Sequence, residues 1–187
     1  MDINNLYIEN GTLQRDRSIG RGSDSLVFLN GSDVYKFYCV SKGSNHELSL
    51  EDIKNYQRIT NAVSRYYQEV GMVYHIKGTE VDLKVEVNPI DEVFWHEKVG
   101  CPVAVSKYID GVNYANMING KSITNIEALE NMWGGIYELG TKLNEIFKFD
   151  VIALASINAK FFLYEATPRL VITDLCSSLW PIKILSS

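Results

Sequence analysis

A glycine-rich turn near the amino terminus is the first feature of the sequence that could bind a ligand. Gly20 and Gly22 are followed by Ser23 and lie between two strand-like segments. Glycines in a tight turn let backbone N–H groups approach a phosphate without side chains in the way. Because no helix is expected directly after them, the turn is neither a Walker loop nor a dinucleotide-binding fingerprint. A plain turn between two strands is the alternative interpretation of the same residues.

A lysine in the middle of a strand-like run is the second candidate. Lys36 lies within residues 34–38, between apolar and aromatic neighbours. In a strand its side chain points to one face of the sheet, where it would lie opposite the glycine turn. The alternative is a surface lysine whose methylene groups cover apolar neighbours while its amine stays in water.

A carboxylate near the end of the chain is the third candidate. Asp174 ends a predicted strand at residues 170–173, which follows another predicted strand at residues 161–164. A carboxylate whose direction is fixed by a strand is a suitable ligand for Mg²⁺. An Asp that caps the following turn is the alternative.

Short strands and one helix must position the first two candidates. Hairpin signals at residues 10–11 and 30–31, both Asn-Gly, flank strands that are rich in β-branched and aromatic residues. Ser49 is suited to cap a helix, and apolar residues at helical spacing predict a helix over about residues 50–68. Further strands are predicted at residues 71–76, 81–87, 93–98 and 102–108. Together these elements predict a small α+β lobe.

The second half of the chain favours helix. Residues 125–147 place their apolar side chains on one stripe, which is typical of an amphipathic helix. The two strands before Asp174 follow it, with a turn at residues 167–168.

The length and composition are those of a globular chain. Of its 187 residues, 46% are hydrophobic and 22% are charged, so it can form a core without a disulfide or a metal. The net charge of −5 is spread without clusters of Lys and Arg, which argues against a nucleic-acid partner. Cys39, Cys101 and Cys176 form no CxxC pair, which favours buried thiols in a reducing compartment.

The sequence also predicts where the protein is found. Its longest apolar stretch, around residues 146–157, is interrupted by Lys148 and Asp150 and is shorter than a membrane span. The amino terminus has no basic region followed by an apolar core, so no cleaved signal peptide is expected. We therefore expect a cytoplasmic protein without a membrane partner. Secretion by a route that needs no cleaved signal is the alternative.

In their order along the chain, the three candidates resemble the motifs of a protein kinase. The order of elements is the one found in that family. It runs from the glycine turn and the strand lysine through a helix, further strands and an apolar connector at residues 103–111 to a long helix, a hairpin and Asp174. More narrowly, the short length and residues 19–23, 35–36 and 142–146 are similar to the short bacterial type III effector kinases of the OspG and NleH group.

The resemblance covers residues 18–178 and implies a kinase-like two-lobe fold. Residues 1–109 would form the N-lobe, a small antiparallel sheet with one helix. Residues 110–187 would form a truncated, helical C-lobe.

The resemblance implies ATP and Mg²⁺ as cofactors. Gly20 and Gly22 would cover the phosphates, and Lys36 would contact the α and β phosphates. Asp174 would hold Mg²⁺. The other residues that the resemblance assigns to the nucleotide site are Ser23, Val27, Asn158 and Glu51, the last as the helix carboxylate that orients the lysine, with Glu47 as its alternative.

The catalytic loop departs from the family. Counting back from Asp174 at the family's spacing places the metal-binding Asn on Phe161 and the catalytic Asp on Ser156. Counting forward from the preceding helix places the catalytic position near Ile152. None of these side chains can act as a base or bind a metal. The nearest carboxylate is Asp150, which is the candidate catalytic residue.

These departures predict a pseudokinase that binds a protein partner and retains some ATP binding. The alternative is an active atypical serine/threonine kinase, or another nucleotide-dependent transferase, that acts on a host protein as a secreted bacterial effector. Whether the chain is an enzyme therefore stays open at this point. A third hypothesis is an interaction domain that binds no nucleotide.

Overall fold

The computed structural model describes much of the amino-terminal half of the chain and two short segments of the carboxyl-terminal half. The described residues are 7–9, 12–21, 25–39, 48–75, 82–113, 159–162 and 167–174. The chain divides into two units, one formed by residues 1–61 with 89–108 and the other by residues 62–88 with 109–187.

The described elements are short strands and one long helix. In chain order they are β1 (Ile8–Glu9), β2 (Thr12–Leu13), a 3₁₀ turn (Arg15–Arg17), β3 (Gly20–Arg21), β4 (Leu26–Asn30), β5 (Asp33–Phe37), α1 (Leu50–Val70), β6 (Val73–His75), β7 (Asp82–Val87), β8 (Ile90–His96), β9 (Cys101–Lys107), β10 (Val112–Asn113), β11 (Ala159–Phe162) and β12 (Arg169–Ile172). Within these residues no helix is both long enough and apolar enough to cross a membrane.

The first unit is built on a five-stranded sheet in the order β3-β4-β5-β9-β8, with every neighbouring pair antiparallel. One face of this sheet is apolar and carries the fully buried rings of Phe28 and Phe37. Tyr7 and Leu13 from the β1–β2 hairpin pack against that face. The ring of Tyr7 lies 4.7 Å from that of Phe28, and its hydroxyl donates a hydrogen bond to the Leu29 carbonyl. The hairpin therefore covers one face of the sheet.

The β4–β5 connection confirms the predicted hairpin at residues 30–31. Asn30 pairs with Asp33, so Gly31 and Ser32 form a two-residue turn. Gly31 has a φ of 64°, which a residue without a Cβ adopts at little cost. The hairpin places Lys36 directly opposite Val27.

Helix α1 begins at the predicted cap. The Ser49 hydroxyl accepts a hydrogen bond from the Asp52 N–H at 3.1 Å, and the Asp52 carboxylate accepts one from the Ser49 N–H at 2.9 Å. This reciprocal pair is a capping box, which satisfies N–H groups that the first turn leaves without partners. The helix ends at Val70, where Gly71 has a φ of 59° and Met72 N–H bonds back to the Tyr67 carbonyl at 3.1 Å.

Two amides hold the first part of α1 against the sheet of its own unit. The Asn61 side chain donates to the Ile90 carbonyl at 2.9 Å and accepts from the Ile90 N–H at 2.8 Å. Gln57 donates to the same carbonyl at 3.1 Å. Ile53 and Tyr56, on the predicted apolar stripe of the helix, are buried.

The second unit contains a mixed sheet in the order β10-β11-β12-β7-β6. Its β12 runs parallel to β7, and the other neighbouring pairs are antiparallel. Leu83, Val85 and Leu170 form its buried apolar part. Ser64, in the second part of α1, donates a hydrogen bond to the Val87 carbonyl at 2.7 Å.

The structure confirms the predicted α+β class, the helix and all the strands that were predicted within the described residues, with their ends displaced by a few residues. The predicted helix at residues 125–147 lies outside the described residues. The kinase-like arrangement of two lobes, divided after residue 109, stays a prediction.

Candidate functional site

The register of the first sheet aligns five residues in one row across its strands. Gly20 pairs with Val27, Val27 with Lys36, Lys36 with Ala104, and Ala104 with Val93. Directly paired residues share a face of a sheet. The row lies on the face opposite to the one that the β1–β2 hairpin covers, because side chains alternate along each strand. We refer to these five residues as the lysine row.

Small and apolar residues surround the lysine in this row. Val27 and Ala104 are its two direct neighbours, and neither carries a polar side chain. Gly20, at the end of the row, has no side chain, and a Cβ added there would lie 3.7 Å from the Val27 Cβ. The amine of Lys36 is therefore the only side-chain charge within the lysine row.

Lys36 is half-buried in the middle of β5, as the sequence predicts. Its Nζ lies 5.2 Å from the centre of the Tyr38 ring, two residues further along the same face. An ammonium group at this distance from an aromatic face is attracted by the ring quadrupole. The ring thus helps to hold the amine beside the sheet.

The residues of the predicted glycine turn fall at the β3–β4 connection, but Gly20 lies within β3 and not between the two strands. Gly20 is the first residue of β3, and the Ile19 N–H donates to the Val27 carbonyl at 2.8 Å. Ser25, at the end of the turn, is buried. Gly22 and Ser23 lie outside the described residues.

Glu51 lies in the first turn of α1, where it forms an ion pair with Arg58. The carboxylate oxygen is 3.3 Å from the guanidinium nitrogen, and the Glu51 side chain is 63% exposed. An exposed pair of this kind contributes little to stability. Its alternative, Glu47, lies outside the described residues.

Asp174 belongs to the second unit, whereas the lysine row belongs to the first. It follows β12 after one intervening residue and is half-buried. Of the other residues of the predicted catalytic loop, Phe161 lies within β11, where it pairs with Val112 and Leu170 in the backbone ladder.

The rest of that loop, including Asp150, Ile152, Ser156 and Asn158, lies outside the described residues. Within the described residues, no three or more His, Cys, Asp or Glu side chains are grouped so that they could hold a metal ion. Asp174 is therefore a metal candidate on the strength of its place after a strand alone.

A pair of cysteines is the feature that the sequence interpretation missed. The Sγ atoms of Cys39 and Cys101 are 3.0 Å apart, although 62 residues separate the two in sequence. Both thiols are free, and Cys101 is buried. The only signal in the sequence is that both cysteines lie at strand ends, which becomes informative only when the pairing of those strands is known.

A cavity of about 560 Å³ adjoins this pair in the first unit. Cys39 and Cys101 line it together with Tyr38, Leu50 and Trp95. It lies between the amino end of α1 and the end of the sheet where β5 stops and β9 starts.

Comparison with models of known protein families and with curated proteins finds no match to this chain.

Proposed function

We propose that this protein is a kinase-like pseudokinase that binds ATP at the lysine row and acts by contacting a protein partner. The observation that carries the proposal is the register of Gly20, Val27 and Lys36, which lie side by side on one face of the sheet.

The order of strands supports nucleotide binding. In protein kinases the glycine-rich loop covers the ATP phosphates, and the lysine that contacts the α and β phosphates lies on the third strand. Here β3 and β4 flank the glycine turn, and β5, which carries Lys36, is the third strand of its sheet in chain order. Helix α1 follows β5, as the kinase helix follows the lysine strand.

The spacing within the glycine turn gives further support. Residues 20–27 read GRGSDSLV, which follows the kinase pattern G-x-G-x-x-G-x-V with Ser25 in place of the third glycine. Because Val27 is the last residue of that pattern and pairs directly with Lys36, the pattern and the sheet register agree.

The distances across the sheet suit a phosphate chain. Neighbouring strands lie about 4.8 Å apart, so two strand spacings put Gly20 about 10 Å from the backbone of Lys36. A lysine side chain that extends over the face of the sheet can bond a phosphate held by the backbone N–H groups of the turn.

The bounds of β11 in the second unit change which residue is the candidate for the metal-binding Asn of the catalytic loop. A fixed count from Asp174 places the metal-binding amide on Phe161, but Phe161 is a ladder residue inside β11. Asn158 comes immediately before β11, so it is the better candidate for that amide, and Asp174 is the candidate for the second Mg²⁺ ligand. Amide and carboxylate oxygens of this kind are suitable ligands for Mg²⁺.

The same revision leaves the position of the catalytic base without a carboxylate. In the kinase loop the catalytic Asp precedes the metal-binding Asn by five positions, and five positions before Asn158 is Ala153. The fixed count gave Ser156 instead. Neither side chain can accept the proton of a substrate hydroxyl, which favours binding over phosphoryl transfer. An active transferase would need Asp150, three residues before Ala153, to take the base's part.

Thermal unfolding with ATP and Mg²⁺ tests nucleotide binding. At about 100 times its Kd, a ligand adds roughly 2.7 kcal/mol to the free energy of unfolding. In Lys36→Ala the loss of a charged hydrogen bond, worth about 1.5–3 kcal/mol, should raise the Kd by about 10- to 100-fold. At the same ATP concentration the gain should then fall to roughly 0.4–1.4 kcal/mol.

Lys98→Ala is the matched control, because Lys98 is an exposed lysine in the turn between β8 and β9. It should keep the full ATP effect. A wild-type protein that ATP does not stabilise would instead favour the interaction domain without nucleotide.

A transfer assay separates the pseudokinase from an enzyme. We expect no transfer of the γ-phosphate from ATP to the protein itself or to a generic protein substrate. Transfer that is abolished by both Lys36→Ala and Asp150→Ala would replace the proposal by an active atypical kinase acting on a host protein.

A further inference from the structure

Cys39 and Cys101 are a cross-strand pair. The β5–β9 register pairs Phe37 with Val103, and the Tyr38 N–H donates to the Pro102 carbonyl at 3.0 Å. Continued by two residues beyond the Phe37–Val103 pair, this register sets Cys39 directly opposite Cys101. The two sulfur atoms are in contact because the strand pairing positions them opposite each other.

The backbone geometry at this position suits a disulfide. Because Tyr38 bonds to Pro102, the next pair, Cys39 with Cys101, is a non-hydrogen-bonded pair, in which the Cα atoms of antiparallel strands are about 4.5 Å apart. Disulfides are found with Cα atoms about 4.4–6.8 Å apart. The Sγ atoms are already 3.0 Å apart, so a small rotation of the side chains brings them into bonding range.

The two thiols are not equivalent. The hydrogen bond from Cys101 lowers the pKa of Cys39, and the positive charge of Arg15 lowers it further, while burial opposes both. The same hydrogen bond raises the pKa of Cys101, and its burial acts in the same direction. Cys39 is also the more exposed of the two. Of the two thiols, Cys39 therefore gives up its proton the more readily.

The neighbouring cavity gives a small molecule access to the pair. Its volume of about 560 Å³ lies in the range of about 300–1,000 Å³ that is usual for small-molecule sites. Tyr38, Leu50 and Trp95 line it beside the sulfurs. The wall is thus partly aromatic, and both thiols border the same space.

We propose that Cys39 and Cys101 form a redox-active dithiol that is oxidised to a disulfide by low-molecular-weight disulfides of the glutathione class. The Cys39 thiolate attacks one sulfur of oxidised glutathione. A bond forms between that sulfur and Cys39, the original disulfide bond breaks, and one glutathione leaves as a thiolate, which takes a proton.

The second step closes the pair. Cys101 loses its proton and attacks the Cys39 sulfur; the bond between the two protein sulfurs forms, and the second glutathione leaves. In sum, two protein thiols lose two electrons and two protons, and oxidised glutathione becomes two molecules of glutathione. Reduced glutathione reverses both steps. The reaction does not depend on the proposed nucleotide binding.

Oxidation of the native protein tests the proposal. The folded protein is equilibrated in glutathione buffers of increasing oxidised fraction, quenched with acid, unfolded and then alkylated, and it is analysed by mass spectrometry and peptide mapping. In the reduced buffer all three cysteines should be alkylated. In the oxidised buffer only Cys176 should react, and the peptides that contain Cys39 and Cys101 should be linked.

Three variants separate the roles. Cys176→Ser is the control and should form the same link as the wild type. Cys101→Ser should accumulate a mixed disulfide with glutathione on Cys39, because no second thiol resolves it. Cys39→Ser should leave Cys101 unmodified in the folded protein.

The proposal is overturned if Cys39 and Cys101 stay fully alkylatable in the oxidised buffer, or if the link that forms involves Cys176. This result is read from the wild type and Cys176→Ser alone, so it stands even if a variant at Cys39 or Cys101 does not fold.

Discussion

The amide of Asn61 should be a main connection between α1 and the sheet of the first unit. It makes two reciprocal hydrogen bonds with the backbone of Ile90, the first residue of β8. In Asn61→Ala the Ile90 carbonyl keeps its bond from Gln57, but the Ile90 N–H loses the Asn61 oxygen. Ile90 is 7% exposed, so water is a poor substitute for that oxygen.

The loss of stability expected in Asn61→Ala follows from the Ile90 N–H group. A buried donor left without its partner costs about 1–3 kcal/mol. Replacing Asn by Ala within a helix returns up to about 0.7 kcal/mol of intrinsic helix propensity. Asn55→Ala is the matched control, since Asn55 lies on the same helix and its side chain accepts an exposed hydrogen bond from Arg58. Both variants gain the same propensity, so the difference of about 1–3 kcal/mol between them measures the connection to Ile90.

Native-state hydrogen exchange provides the local assay. Loss of about 1–3 kcal/mol should speed exchange of the Ile90 amide by about 5- to 150-fold in Asn61→Ala. In Asn55→Ala the rate should stay close to that of the wild type. Equal Ile90 exchange rates in the two variants would refute the reasoning, because the amide bond to Asn61 would then not be what protects this group.

Two further predictions concern the helix cap and acid stability. Ser49→Ala removes the hydroxyl that accepts the Asp52 N–H in the capping box of α1, and it should lower the free energy of unfolding by about 1 kcal/mol, measured by urea titration; an unchanged midpoint would contradict the cap's contribution. Burial raises the pKa of Glu86, but hydrogen bonds from Lys84 and Arg169 outweigh it and leave the pKa below its ordinary value. The stability that the ionised Glu86 gains from these bonds is fully present above the unfolded-state pKa of about 4.3. It is lost as the pH falls through the lower folded-state pKa. Glu86→Gln should therefore lose less stability than the wild type on acidification, and parallel pH profiles of the two proteins would contradict this.

Local signals in the sequence predicted most of the described elements. Ser49, followed by acidic residues and an apolar stripe, predicted where α1 begins, because a cap and the first turn are decided by neighbouring residues. The hairpin at Asn30 and Gly31 was predicted for the same reason, since a two-residue turn depends on the conformation that Gly31 can adopt.

Pairings between distant segments could not be predicted in this way. Cys39 and Cys101 are 62 residues apart, and their contact depends on the register of β5 and β9. The parallel pairing of β12 with β7 likewise joins segments that share no local pattern. No local pattern predicts the length of the β11–β12 connection either, so a fixed count from Asp174 fell on Phe161, within a strand.

The orientation of the Glu51 side chain could not be predicted from the sequence either. Its position in the first turn of α1 was expected, but the partner of its carboxylate depends on the turn of the helix that carries Arg58. Its assignment as the partner of Lys36 stays a prediction.

The most direct test of the central claim is a crystal structure of the protein with a non-hydrolysable ATP analogue and Mg²⁺. We expect the triphosphate to lie on the lysine row, with phosphate oxygens bonded to backbone N–H groups of the glycine turn and to the Nζ of Lys36. An analogue bound away from Gly20 and Lys36, or none bound under conditions that saturate kinase sites, would contradict the account.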